Sequence, residues 1–365
     1  MRRIWSRIFL VVLCLALLAG NVFAGEKTLI LRFRPIESGV CAIDSIYGVS
    51  ANYQNGATIY CSELITRFYQ TLYGVDVLVG DGPIVTGYNA DTYWFEPTTS
   101  PVAGDVAYAA PARRGKGYPH YALVKYANAK AGTVTLMEQN WSWNGGAAYE
   151  RTIPYSDDCY VFYSLRCASG KAKMNVPEAD TVSPWAKSAV QRADALGVTS
   201  GLVGGYRRTI TRGVLARLCV NTAELNGFKV DQTNPYGAAC ALGVMNTDET
   251  GEFAPWASVT RADAAIVLTR LLALVGEVPA VRQSVLFALT DAAEIPSAAR
   301  SSVAAMLASG LMSAESGCFR PNDPITTEQV LSVLVQILDD PAPVNLSAAG
   351  SNAAADARQP AGKAA

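Results

Sequence analysis

HYALVKYANAKAGTVTLMEQNW, residues 120–141, decides how the first half of this chain is read. HYALVKYA and TVTLMEQNW are β-rich runs, and the polar, glycine-containing segment between them is turn chemistry. The pair therefore reads as two neighbouring strands. The first opens on His120, the sole histidine in 365 residues. The second carries Glu138 and Asn140, two positions apart, so both side chains leave the strand on one face. If the chain uses an imidazole, it is this one, presented from a rigid strand end beside a carboxylate and an amide.

Upstream, CSELITRFYQTLYG places Leu64, Ile65, Phe68 and Leu72 at helical spacing. Its first residue is Cys61, where the positive end of the helix dipole favours a thiolate. TLILRFR, DVAYAA and CYVFYSL are further strand candidates. One helix followed by several antiparallel strands is an α+β pattern, and it occupies residues 25–166. The chemistry implied by this order is nucleophilic: Cys61 attacks, His120 takes the proton, and Glu138 or Asn140 orients the ring. Each residue also has a plain structural role open to it. Cysteine at a helix start is often core, and Glu138 is also readable as a solvated strand residue. Trp94, Trp141 and Trp143 either line a groove for sugar or peptide, or belong to the core and rim of the domain.

The N-terminus sets the compartment. A basic start, an apolar run and the small-residue site VFA predict a secretory leader over 1–24, cleaved after Ala24. Its apolar run is short for a membrane span and nothing later resembles one, so a protein without a membrane span is expected after cleavage. Cleavage takes three arginines from the 30 basic residues and none from the 31 acids, leaving a balance of about −4. No basic excess remains for a nucleic-acid surface. Seven of the eight cysteines stay, an odd number that leaves one thiol unpaired or functional, and six could pair in fifteen ways. With one histidine and no Cys-x-x-Cys, a structural zinc is not expected; no residue is assigned as a metal ligand and no cofactor is expected, while metal dependence stays open.

Residues 167–176 read as a linker, after which the texture changes to Ala- and Leu-rich helices that repeat. ALGVTSG (195–201), ALGVMNT (241–247) and ASGLMSA (308–314) each close a helical run, and each precedes a helix opened by threonine, at Thr211, Thr260 and Thr326. Asp263 and Gln329 complete capping boxes in the second and third cases; Val214 breaks the box in the first. The three units span about 177–228, 229–277 and 286–338 within a region 177–338, an all-α stack sharing one core. The tail, 339–365, has almost no large apolar residue and is expected to be disordered.

Two family resemblances follow from these residues. PVAGDVAYAAP and HYALVKYANAKAGTVTLMEQNW, with the helix-start cysteine, resemble a CHAP domain, a cysteine, histidine-dependent amidohydrolase/peptidase of papain-like fold. Cys61, Pro101 with Gly104 and Asp105, His120, and Glu138 with Asn140 take the family's positions in order. The resemblance implies hydrolysis of an amide bond in peptidoglycan by Cys61, His120 and Glu138 or Asn140, as an N-acetylmuramoyl-L-alanine amidase or an endopeptidase. The alternatives are a degenerate, non-catalytic domain and a thiol hydrolase of a different amide. DTVSPWAKSAVQRADALGVTSGLVGGYRRTITRGVLARL resembles an S-layer homology repeat, three of which form a helical trefoil in that family. This implies anchoring to a secondary cell-wall polysaccharide of a Gram-positive-type bacterium through Trp185, Thr211, Arg212, Thr260 and Arg261. An arginine fork suits the carboxylate of a pyruvylated polymer. Only the first unit keeps its tryptophan, and the third has Thr327 in place of the arginine, so two pockets are expected, at Thr211–Arg212 and Thr260–Arg261. Together the halves describe a secreted hydrolase held on the wall.

Overall fold

A computed structural model describes residues 28–29, 40–54, 60–80, 82–87, 92–140, 148–232, 234–248 and 251–339. The expected leader, Trp141, Trp143 and the tail beyond Asp339 lie outside the described residues. The first domain holds β1 (Thr28–Leu29), β2 (Val40–Ile46), β3 (Val49–Gln54), α1 (Cys61–Tyr73), β4 (Val77–Leu78), β5 (Val85–Thr86), β6 (Tyr93–Thr98), β7 (Val106–Ala109), α2 (Pro111–Arg114), β8 (His120–Asn128), β9 (Thr133–Gln139), β10 (Ala148–Pro154), β11 (Val161–Cys167) and β12 (Gly170–Lys171). An antiparallel sheet runs β1-β10-β9-β8-β7-β11-β12, with β6 also on β11; β2–β3 and β4–β5 are separate hairpins. This is an α+β arrangement.

α1 forms because its apolar residues make one stripe. Leu64, Ile65, Phe68 and Leu72 are all fully buried, each burial stabilising by about 1.5–3 kcal/mol. The stripe packs on the sheet face carrying Val106, Tyr108, Tyr121, Leu123 and Met137. The opposite face has its own core of Ala107, Ala109, Ala122, Val124, Leu136, Tyr160 and Phe162. Because both faces are covered, β8 is buried continuously from His120 to Lys125.

The Pro101-x-x-Gly104-Asp105 turn is held by packing and charge. Gly104 has φ +88°, and a Cβ there would meet Phe68 at 3.1 Å. Asp105 accepts from Val102 N–H at 2.9 Å and pairs with Lys171 at 2.8 Å. That last contact falls within 167–176, where a linker is expected. β12 pairs with β11, Ala172 is buried in the first core, and Asn175 N–H donates to Leu72 carbonyl at 2.6 Å. Lys171, Ala172 and Asn175 of this segment are thus fixed to the first domain.

Beyond it lie α3 (Lys187–Leu196), α4 (Arg212–Leu225), α5 (Pro235–Ala241), α6 (Arg261–Val275), α7 (Arg300–Ala308) and α8 (Thr327–Asp339). They share a single core, with α3 packed against α8, α4 against α5 and α6 against α7. A closed ring joins the three units: Val259 N–H donates to Ile210 carbonyl, Ile325 to Val259, and Ile210 to Ile325, at 3.1, 3.2 and 2.9 Å. All three residues are buried, each directly before the threonine that opens the next helix.

Candidate functional site

β8 and β9 bring His120 and Glu138 together. Ala122 lies opposite Glu138 in the register, and His120 opposite Ala109, so both functional side chains share the sheet face away from α1. His120 Nε2 is 3.8 Å from Glu138 Oε1, close enough for electrostatic coupling and too long for a hydrogen bond. Both residues are buried. Burial holds the His120 pKa well below the ordinary imidazole value, and the Arg114 and Arg151 cations add to that effect. The imidazole is therefore neutral at pH 7, the state that accepts a proton.

Two residues around Glu138 escape a reading by motif. Arg151 Nη2 donates to Glu138 Oε1 at 2.8 Å, and the Tyr160 hydroxyl donates to the same oxygen at 2.9 Å. Arg151 also hydrogen-bonds Tyr160 and lies over its ring, 5.3 Å from the centroid. The carboxylate is thus fixed by a buried cation and a phenol on the side of the sheet that faces His120. Glu138 Oε2 and Asn140 Oδ1 are buried with no hydrogen-bond partner among the described residues. Asn140 directly follows β9 in a left-handed conformation, φ +59°.

Cys61 stands at the N-terminus of α1, whose first turn is tied to β9. Gln139 donates to the Tyr60 carbonyl and to Glu63 Oε2, both at 2.9 Å. The Tyr121 backbone N–H is directed at the Cys61 sulfur, which sets that sulfur beside the backbone of the residue following His120. Burial pushes the thiol above its ordinary pKa; the N–H groups of Tyr121 and Ser62 and the Arg114 charge pull the other way. Arg114 therefore acts on both the thiol and the imidazole. Its own guanidinium reaches toward the Tyr118 and Pro119 carbonyls at 3.4 Å, just before β8. Trp94 is 48% exposed on β6.

In the helical region the expected wall-binding residues fall into two roles. Thr211 and Thr260 are N-caps: Val214 N–H donates to Thr211 Oγ1 at 3.3 Å, and Asp263 N–H to Thr260 Oγ1 at 3.1 Å. Arg212 and Arg261 clamp neighbouring units in matching ways. Arg212 donates Nε to the Phe253 carbonyl (2.9 Å) and Nη2 to the Asn246 carbonyl (2.5 Å), and its guanidinium lies 4.9 Å from the Phe253 ring centroid. Arg261 does the same with Phe319 (2.8 Å), Ser313 (2.8 Å) and the Phe319 ring at 4.8 Å. Anchoring the Nε/Nη2 edge leaves the Nη1/Nη2 end of each fork as the edge that suits a carboxylate. Trp185 is 60% exposed.

Among the described residues no helix is long and apolar enough to cross a membrane, and no cluster of three metal-ligating side chains occurs. Cys61, Cys159, Cys167, Cys219, Cys240 and Cys318 are free thiols. No curated protein matches the chain. Residues 237–265 and 288–331 match the S-layer homology domain. The first stretch runs from α5 into α6 and the second reaches into α8, so the match falls on the second and third units. The C-terminal region thus carries S-layer homology repeats, which mark a protein of the bacterial cell surface anchored to cell-wall polysaccharide.

Proposed function

We propose that the chain is a secreted, wall-anchored cysteine hydrolase that cleaves an amide bond of peptidoglycan. The observation that carries this reading is the approach of the Cys61 sulfur to the N–H of Tyr121, the residue that follows a neutral His120 whose Nε2 faces Glu138. Cys61 Sγ attacks the amide carbonyl while its proton passes to His120 Nδ1, and the Cys61 N–H at the helix start stabilises the oxyanion. Collapse expels the amine, which takes the proton back, and leaves a thioester. His120 then deprotonates the water that hydrolyses it. Glu138, fixed by Arg151 and Tyr160, holds the ring, with Asn140 the other candidate for that task. The S-layer homology repeats keep the hydrolytic domain at its substrate and raise its effective concentration there. Trp185 and the outward ends of Arg212 and Arg261 are the proposed contacts to an anionic secondary wall polysaccharide.

A second reading is a wall-bound surface protein without catalysis, favoured by the near-complete burial of His120 and the upward push on the Cys61 thiol. Incubating purified Gram-positive sacculi with the mature protein and with Cys61→Ala separates the two. Hydrolysis predicts soluble wall fragments from the unmodified protein alone, with both proteins pelleting with the sacculi. Pelleting without fragments from either selects the second reading.

A further inference from the structure

The ring of Ile210, Val259 and Ile325 makes the three junctions between helical units directly comparable. Counting back six residues from each ring member gives Gly204, Phe253 and Phe319, and each is followed by a residue of positive φ: Gly205 at +73°, Ala254 at +48°, Arg320 at +57°. The two phenylalanines accept an arginine at their carbonyls and on their rings. At the remaining junction both halves of this clamp are gone. Gly204 replaces the phenylalanine, and Thr327, in the position of Arg212 and Arg261, replaces the arginine.

The first domain fills the space. The tight turn between β2 and β3, Tyr47–Gly48, sits on this junction: Tyr47 N–H donates to the Val203 carbonyl at 3.2 Å, and Val203 packs against the first domain's core. A Cβ on Gly204 would lie 2.9 Å from the Tyr47 ring and 3.0 Å from its Cα. Gly48 rests on the Arg208–Asp180 ion pair, where a Cβ would be 3.0 Å from both Arg208 Cζ and Asp180 Oδ2. That pair is itself fixed, since Asp180 Oδ1 accepts from Gly205 N–H at 2.9 Å. A second bridge lies alongside, where buried Glu150 on β10 pairs with both Lys125 on β8 and Arg217 on α4. No phenylalanine side chain fits at position 204 while the turn is present.

We infer that the third inter-unit groove is a socket for the Tyr47–Gly48 turn, which holds the first domain in one orientation on the anchor and leaves two grooves open to the wall. The division of grooves between head and wall rests on the anchoring reading; the socket itself does not.

Hydrogen exchange and small-angle scattering on the full mature chain test this. The unmodified protein is expected to scatter as one rigid body, with the amides of 46–49 and 203–208 protected together. In Gly204→Phe/Thr327→Arg, which restores both residue types of the clamp although position 204 has a left-handed backbone (φ +80°) that Phe253 and Phe319 lack, the turn is evicted. Its amides then exchange at least about tenfold faster and the radius of gyration rises, while the α4, α6 and α8 amides stay protected. Should that variant lose helix protection, Tyr47→Ala decides, with the same acceleration expected in both segments. Unchanged exchange at 203–208 in Tyr47→Ala, or scattering from a freely moving head in the unmodified protein, overturns the socket. Sacculus pelleting run in parallel reports on anchoring separately, since its loss would leave the scattering result standing.

Discussion

Replacing Arg151 by methionine should unfold the first domain at a much lower temperature, because of what it leaves behind. Arg151 and Glu138 are paired at 2.8 Å with side-chain exposures of 1% and 0%, so neither charge has water to fall back on. Methionine keeps most of the aliphatic volume and removes the cation. Glu138 then retains the Tyr160 hydroxyl and the distant His120 ring, which is neutral. Removing one partner of a buried pair costs about 3–5 kcal/mol. At roughly 2–4 °C per kcal/mol for a domain of this size, the melting temperature should fall by about 6–20 °C. Calorimetry on the mature protein measures this directly. Adding Glu138→Gln removes the stranded charge while leaving Tyr160 an acceptor, so the double variant should recover about 1.5 kcal/mol or more of the loss. A single variant within about 1 kcal/mol of the unmodified protein would refute the reasoning, since an isolated buried carboxylate is far more expensive than that.

Three further outcomes are expected. His120 is neutral in the fold because burial depresses its pKa; unfolded, it binds a proton near pH 6.5. Its contribution to stability is therefore complete above that value and is lost as pH falls toward the folded pKa, with a slope of up to about 1.4 kcal/mol per pH unit, and equilibrium unfolding of His120→Gln should show a flatter acid limb. The Cys61 thiol, pushed up by burial, should alkylate slowly at pH 7 and faster as the solution is brought above pH 9, measured by mass spectrometry with Cys61→Ala to assign the label. Arg261→Lys keeps the charge but loses the double carbonyl contact and the ring stack, so the helical region should lose about 1.5–3 kcal/mol in chemical denaturation.

Much of the fold was legible in sequence because its signals are local. The spacing of Leu64, Ile65, Phe68 and Leu72 specified a helix whatever surrounds it, and those four residues, with Tyr69, are its fully buried stripe. The threonine-opened helices were equally local, as each cap is set within four residues. What escaped depends on distant partners. Arg151 and Glu150 are neighbours in AYERTIP and look like one solvated charge pair, yet they leave β10 on opposite faces, one to Glu138 and one to Arg217. The stretch 167–176 has no periodicity because its anchors are scattered single residues, Lys171 on Asp105 and Ala172 in the core. The loss of arginine at Thr327 was visible in sequence. Its physical counterpart, Tyr47 against Gly204, lies more than a hundred residues away and only the fold connects them.

The most direct test of the central claim is digestion of purified peptidoglycan in oxygen-18 water, followed by mass spectrometry of the released fragments. Thioester hydrolysis predicts matched products, one with a new amine and one with a new carboxylate carrying a single heavy oxygen, from the unmodified protein and absent with Cys61→Ala. Identical labelled products from both proteins would place the chemistry elsewhere than Cys61, and no products from either would contradict hydrolysis of peptidoglycan by this chain.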